Sequence, residues 1–468
     1  MAQEMSTKVS KKQLVIIGAG PAGLAAADVA GTLGIDTLII DDQPTAGGQI
    51  YRGIANNGND LRNVLGSEYK HGRTLLSGLE HSCVTWQSQS TVWQITEDGL
   101  VYYSSANGSE YVQAEQIIMA TGALERPMPF PGWTLPGVMS AGGLQIALKT
   151  AGLVPDGNLV IAGSGPLLLL LARQILDAGG EISAIVETTP WQNKLLAVEY
   201  IPGMLRSGKM LLEGVDLLWQ IRKRKVRRFT QATSLAAIGK EKVEGLRFSC
   251  AGQTHKLDCD VLAIHNGVVP NVQISRQLGL THDWQGNQRC WYPRIGENGE
   301  TELSWLRVAG DGGGIFGARA AEYQGAVAVW SVAQALDKVD DSKAQQMIDA
   351  TKRKLAPLKS ARRFIDSLYS PAKEFLVPTD ETIVCRCEEV TAKDIRHYVD
   401  LGCTGPNQTK SFGRPGMGPC QGRYCGLTVS ELIADQRGVP VADVGYYRIR
   451  PPIKPVTIAE LASLHDGE

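Results

Sequence analysis

The 468-residue chain is longer than one apolar core usually sustains, so two or three domains are expected. Its 47 basic and 48 acidic side chains leave no global field to draw in nucleic acid or an anionic membrane. Residues 1–14, MAQEMSTKVSKKQL, lack the apolar stretch of a signal peptide, which makes a cytoplasmic location the expectation; the most apolar run, Leu167–Leu171, falls far short of the about 20 residues of a membrane span and reads as a buried helix.

Gln13 to Asp41, QLVIIGAGPAGLAAADVAGTLGIDTLIID, reads as an apolar strand, a glycine turn, a helix of small residues and a second apolar strand ending in an acid. Gly18, Gly20 and Gly23 occupy the glycine positions of G-x-G-x-x-G. The first permits a sharp turn, the second close approach of a pyrophosphate, and the third tight packing of helix on strand. Pro21 and Ala22 open the helix, where free N–H groups and aligned peptide dipoles favour a phosphate. Asp41, eighteen residues past Gly23, is spaced to accept hydrogen bonds from a ribose, with Asp42 beside it. In the following DQPTAGGQIYRG, Gly47 and Gly48 allow close backbone approach, and Gln49 and Arg52 offer donors.

Asp60 to Glu80 has helical spacing, and Thr91 to Tyr111 alternates like hairpin strands, with Asp98-Gly99 and Asn107-Gly108 as turns. Val92 joins the candidate nucleotide set. Gln116 to Gly122 is an apolar strand ending in Thr121-Gly122, and the Pro-rich RPMPFPGWTLPGV that follows marks a boundary. Asn158 to Glu187 then repeats the opening pattern, with Gly163 and Gly165 in place and Glu187 closing the second strand. Leu168 stands at the third glycine, where it should hold the helix off the turn and narrow the room for a dinucleotide. The second fold is therefore open between NAD(P), another nucleotide and a vestigial or repurposed role.

Ile221 to Phe229, IRKRKVRRF, carries six basic residues in nine, either a solvated face or a docking surface for an acidic partner or a nucleotide phosphate. Leu306 to Gly317, LRVAGDGGGIFG, sets Gly310 and Asp311 at the end of an apolar strand before a helix, so Asp311 is placed as a ligand to a ribityl hydroxyl or a phosphate-bound water, with a helix cap as the alternative. Ala335 to Pro378 is charged and helical, a connector. The tail from Val439, with IRPPIKPV, is expected to be extended rather than packed.

Of nine cysteines, Cys83, Cys250, Cys259 and Cys290 are scattered and read as small packed side chains. Cys385, Cys387, Cys420 and Cys425 form C-x-C-x32-C-x4-C, four soft ligands suited to an iron–sulfur centre; C-x-C is too tight for the usual zinc knuckle. Cys403 lies outside the pattern and reads as a packed thiol. With seven histidines and no partnered acid–base motif, catalysis is expected to reside in cofactors.

Gly18, Thr121-Gly122 and Asp311 recur in the order seen in two-dinucleotide-binding-domain flavoproteins, which the chain resembles over about residues 12 to 335. GGQIYR, ATGALERPMPFPGWTLPGVM and AGDGGGIFGARAAEYQG resemble the FAD-containing alpha (A) subunits of heteromeric opine, hydroxyproline and sarcosine dehydrogenases, and are similar to the hydrogen cyanide synthase flavoprotein subunit. The cysteine unit resembles the bacterioferritin-associated-ferredoxin type of [2Fe-2S] domain, except that its last pair is four residues apart rather than two.

The fold class so implied is α/β: an FAD-binding fold at 12–125 and 271–336, an inserted NAD(P)-type fold at 126–270, a connector at 337–378, a helical iron–sulfur domain at 379–438 and a tail at 439–468. The resemblance further implies an oxidoreductase in a hetero-oligomer. An amine-oxidase-type catalytic subunit carrying its own FAD would oxidise a C–N bond of an amino or imino acid. An FMN at the interface between the chains, a quinone or other acceptor and a small ferredoxin-like subunit complete that scheme, which admits peripheral membrane association. The rival readings are a self-contained NAD(P)H oxidoreductase and a redox-sensing or assembly subunit.

Overall fold

A computed structural model describes residues 10–464. Two parallel-stranded sheets organise the chain. In the first, strands run in the order Val84–Gln87, Thr37–Ile40, Ser10–Ile17, Gly108–Met119, Leu100–Ser105 and Thr91–Ile95, with Leu306–Val308 also paired to Gly108–Met119. Val15 lies between Leu38 and Ile117 in parallel register, and Leu14, Val15 and Ile16 are wholly buried. That continuous apolar run is what a central parallel strand needs, because both sheet faces are covered. Leu14 and Ile16 pack under the helices Pro21–Thr32 and Ala318–Ala335.

Val15 and Ile17 point into a different core. Together with Leu38 and Ile40 they share one apolar cluster with Val384, Ile395, Val429, Leu432, Tyr447, Ile449 and Ile453. The cysteine-bearing unit, with its helices Ala392–Asp400, Pro406–Gly413 and Gly426–Arg437, is thus built onto the first sheet rather than hung from a linker. The tail is packed as well, which corrects the expectation of a loose extension. Tyr447, Ile449 and Ile453 are buried, Ile453 N–H donates to Trp93 O at 2.9 Å, and Val441–Val444 and Ile458–Ala462 are helical. Pro-rich sequence set the backbone shape correctly, but the apolar residues spaced along it supplied the burial.

The second sheet is parallel, in the order Arg228–Phe229, Ala184–Glu187, Leu159–Ser164, Val261–Asn266 and Val138–Ser140, with the antiparallel Thr233–Ile238, Gly245–Cys250 and Gln253–Asp258 beside it. The chain leaves the first fold through Ala123–Glu125 and returns through Val268–Pro270, and these two strands pair with each other. Between Glu187 and Arg228 stand three helices that the sequence pattern does not announce: Gln192–Val198, Ile201–Leu205 and Gly208–Lys223. They lean on the 28-residue helix Asp341–Leu368, which occupies the expected connector.

Candidate functional site

The first glycine turn is shaped as a phosphate seat. Gly18 has φ +108°, its N–H donates to Ile40 O at 2.8 Å, and a Cβ there would lie 2.5 Å from Ala120 O. A Cβ on Gly23 would sit 1.9 Å from Gly18 O, so only glycine lets the helix close on the turn. Gly20 caps the helix without a side chain and Pro21 has no N–H, leaving the first-turn N–H groups of Ala22 and Gly23 with no intrahelical acceptor. From above, Gly47 N–H donates to Ala19 O at 2.8 Å, and a Cβ on Gly48 would approach Gly20 Cα to 2.9 Å.

Asp41 braces this turn. Its Oδ2 accepts from Ala19 N–H at 2.5 Å and its Oδ1 from Gln43 N–H at 2.8 Å. Burial pushes the carboxyl up, and the two N–H groups pull it back down. Each oxygen already holds one protein donor, so a ribose hydroxyl would share them. Asp42 is exposed and pairs with Lys454 of the tail at 3.2 Å.

The remaining candidate loops meet the same turn. Gly310, at φ +72°, would bring a Cβ within 2.9 Å of Ala22 Cβ, and a Cβ on Gly312 would lie 3.2 Å from Thr121 Oγ1. Asn271 N–H donates to Gly122 O at 3.0 Å and fixes the Thr121-Gly122 end. Asp311 Oδ1 accepts from Phe316 N–H at 2.9 Å and Gly317 N–H at 3.1 Å, ahead of helix Ala318–Ala335. Burial pushes this carboxyl up. The capping alternative is therefore realised through one oxygen, and Oδ2 takes part in neither bond. Val92 is buried in the core, beside a register slip between Val92 and Gln94, so its backbone rather than its side chain is what it can offer a ligand.

Gln49 and Arg52 behave differently from the free donors expected of them. Arg52 is buried and spends Nη2 on Gln49 Oε1 at 2.9 Å and Nη1 on Gln43 Oε1. Behind them lies a residue that no motif marks. Lys149, 2% exposed, donates Nζ to Gln145 Oε1 at 2.8 Å and to Gln49 O at 3.2 Å. Burial, with the Arg52 charge adding to it, pushes the ammonium down to about 7. The only trace in the sequence is the i, i+4 spacing of Gln145 and Lys149 on helix Ala141–Ala151.

The second glycine turn is plugged. Leu168 is buried, and Cβ atoms on Gly163 and Gly165 would lie 1.8 Å from His265 O and 2.9 Å from the His265 ring. That ring is held by Glu125, whose Oε2 also accepts from Gly142 N–H at 2.8 Å. Glu187, expected on a ribose, is instead clamped by Arg228 through Nε–Oε1 at 2.6 Å and Nη2–Oε2 at 2.8 Å. One member of the basic run is thereby consumed in neutralising it.

The four motif cysteines come together as two contacting thiol pairs, Cys385 with Cys425 and Cys387 with Cys420, and no disulfide joins any of the nine cysteines. Contact with Cys425 and backbone N–H groups of Gly416, Glu388 and Cys387 hold the Cys385 thiol down to about 6. Gly418 makes the approach feasible: a Cβ there would lie 2.2 Å from Cys387 Cβ. Among the described residues, no group of three or more His, Cys, Asp or Glu is preshaped around a single metal ion. The arrangement is four sulfurs in two adjacent pairs. Cys403 is buried apart from them.

Residues 12–335 match the pyridine nucleotide-disulphide oxidoreductase family. The chain belongs to this family. It has the two-domain α/β flavoprotein fold and is an oxidoreductase. Residues 379–465 match the sarcosine oxidase A3 domain. The opine oxidase A subunit of Agrobacterium tumefaciens (strain Ach5) is 41% identical over 96% of this chain and 91% of its own length. Hydrogen cyanide synthase subunit HcnB of Pseudomonas protegens is 30% identical over 94% of this chain and 96% of its own. Among solved structures, L-proline dehydrogenase from P. horikoshii superposes with a TM-score of 0.72 at 18% identity, over 97% of this chain and 80% of that one, a likeness of fold.

Proposed function

We propose that this chain is the electron-transferring flavoprotein subunit of a heteromeric dehydrogenase for amino or imino acids of the opine, D-hydroxyproline, sarcosine or glycine class. FAD in the first cradle and a [2Fe-2S] centre on the cysteines would, when bound, supply the passage from two-electron to one-electron chemistry. The N–H groups of Ala22 and Gly23 would hold the pyrophosphate, Asp41 would keep their turn in shape, and Asp311 Oδ2 would take a ribityl hydroxyl. Cys385, Cys387, Cys420 and Cys425 would hold the iron, and their donor set fits: four soft sulfurs, with backbone N–H groups favouring the thiolate at Cys385.

One observation carries the reading. The flavin-type cradle and the cysteine pairs are rooted in a single apolar core, a construction that fixes two redox centres relative to each other. The naming of the opine oxidase relatives as one chain of several supports a partner of amine-oxidase type that oxidises the C–N bond, with an FMN at the interface, a quinone or other acceptor and a small ferredoxin-like subunit completing the complex. Anaerobic visible and paramagnetic-resonance spectra of the protein co-expressed with its companions test this. Flavin and a [2Fe-2S] signal are expected. Iron-free, colourless protein would overturn the cofactor assignment, substrate oxidation by this chain alone would overturn the division of labour, and rapid flavin bleaching by NADH would favour a self-contained NAD(P)H oxidoreductase.

A further inference from the structure

The three helices between Glu187 and Arg228 carry an apolar surface that the fold does not use. Ten of the nineteen exposed large apolar side chains among the described residues fall between Trp191 and Trp219, including Leu195 (62%), Leu205 (61%), Leu212 (71%) and Trp219 (56%). Their inner side is accounted for. Asn193 Nδ2 donates to Leu368 O at 3.2 Å and Ser370 O at 2.9 Å, Ala197 and Met204 are buried, and a Cβ on Gly203 would lie 2.7 Å from Ser360 Oγ. Within helix Gly208–Lys223, Leu217 and Ile221 join the core of the second sheet, whereas Leu212, Val215 and Trp219 form an outward stripe at i, i+3 and i+7. A helix apolar on both sides implies that something covers its outer face.

Charge identifies the covering. Residues 191–228 carry nine basic and three acidic side chains, in a chain whose net charge is −1. Arg222, Lys223, Arg224, Lys225 and Arg227 directly follow the apolar stripe and are exposed, and Lys223 Nζ lies 5.0 Å from the Trp219 ring centroid. A leucine and tryptophan face bordered by lysine and arginine is the make-up of a helix that lies in the plane of a membrane interface. No helix among the described residues is long and apolar enough to cross a membrane. We propose that residues 191–228 dock the protein on the anionic surface of a lipid bilayer, with Leu212, Val215 and Trp219 entering the headgroup boundary and the basic run pairing with lipid phosphates. The inference rests on this surface alone and is tested without turnover.

The full-length protein is co-sedimented with vesicles of phosphatidylcholine and with an equimolar phosphatidylcholine–phosphatidylglycerol mixture. Pelleting with the anionic vesicles, reduced by salt, is expected. Leu212→Glu with Trp219→Glu should weaken it at least about tenfold, since both side chains would leave the apolar phase. Replacing Arg222, Lys223, Arg224 and Lys225 by Gln should weaken binding to the anionic vesicles by about 10²-fold to 10³-fold, at about fivefold per basic side chain. Unchanged circular dichroism and flavin content in both variants exclude misfolding as the cause. Wild-type protein that stays in the supernatant with both vesicles overturns the proposal, as do variants that pellet like wild type. A dimer or partner complex that Leu212→Glu with Trp219→Glu dissolves, without any vesicle binding, assigns the face to a protein instead and equally overturns it.

Discussion

Lys149 offers the most quantitative test of how the first fold is built. Its ammonium is almost wholly buried among Gln145, Gln49 and the Tyr69 ring, with Arg52 as the nearest charge, and is held down to about 7 from 10.5. Below about pH 7 the folded and unfolded states both carry the proton, and the cost of burying the charge is fully present. Between about pH 7 and 10.5 only the unfolded state binds it, so raising the pH favours the folded state by about 1.4 kcal/mol per unit. The whole interval is worth about 5 kcal/mol, an upper bound for this one group. Lys149→Met keeps the stem and removes the titration. The difference in urea-unfolding free energy between wild type and variant should therefore move by about 3 kcal/mol in favour of wild type from about pH 7.5 to 9.5, while all other titrating groups cancel. Near pH 7 the variant should lose little, because the unmet acceptors Gln49 O and Gln145 Oε1 are offset by relief from the buried charge. A difference that stays flat across this range would refute the burial argument.

Gly23→Ala should cut flavin occupancy more than tenfold, read from the absorbance ratio of purified protein, because its Cβ would sit 1.9 Å from Gly18 O; Gly58→Ala, whose Cβ meets nothing within 4 Å, should leave it unchanged. Cys385→Ser should abolish bound iron and Cys403→Ser should not, as measured by colorimetric iron content, since only the former belongs to the paired thiols. Arg289→Ala leaves the buried Glu431 carboxylate without the guanidinium whose Nε donates to it at 2.8 Å, and should destabilise the cysteine unit by about 3 kcal/mol, seen as earlier thermal loss of the cluster absorbance.

The first fold was legible because its demands are local. A strand, a turn that only glycine can make and a helix of small residues occupy consecutive positions, and the spacing to Asp41 and the Thr121-Gly122 and Asp311 endings are equally short-range signals. What escaped were relations between distant segments. Asp41 bonds Ala19 across the turn, Arg52 spends itself on Gln43 and Gln49, and Lys149 reaches Gln49 from a helix a hundred residues on. In the second fold, Leu168 rightly signalled a turn without room. The plug itself could not be foreseen, because His265 and Glu125 meet only when the outgoing and returning strands pair. The helices between Glu187 and Arg228 were missed for another reason: with apolar residues on both faces, they lack the one-sided periodicity that marks a globular helix.

The cysteine unit illustrates how a motif can be read correctly and its surroundings wrongly. C-x-C-x32-C-x4-C names the ligands, and the pairing of first with last and second with third follows from the helix that Cys425 begins. Nothing in that spacing says where the unit sits. Its position is set by the tail, whose Tyr447, Ile449 and Ile453 close the same core that Val15 and Ile17 enter from the first sheet. Arg276 completes the seam: its guanidinium lies 5.0 Å from the Trp291 ring and 5.1 Å from the Tyr446 ring, between a segment of the flavin-type fold and the residue whose hydroxyl donates to Gly422 O in the cysteine loop. Burial pulls the guanidinium down to about 10, so this cation is retained against a desolvation cost, with two rings in place of a carboxylate. A tethered module would have no use for such a contact. A unit whose sulfurs must keep one distance from the neighbouring cradle does, because each seam residue removes a way for the two to move apart.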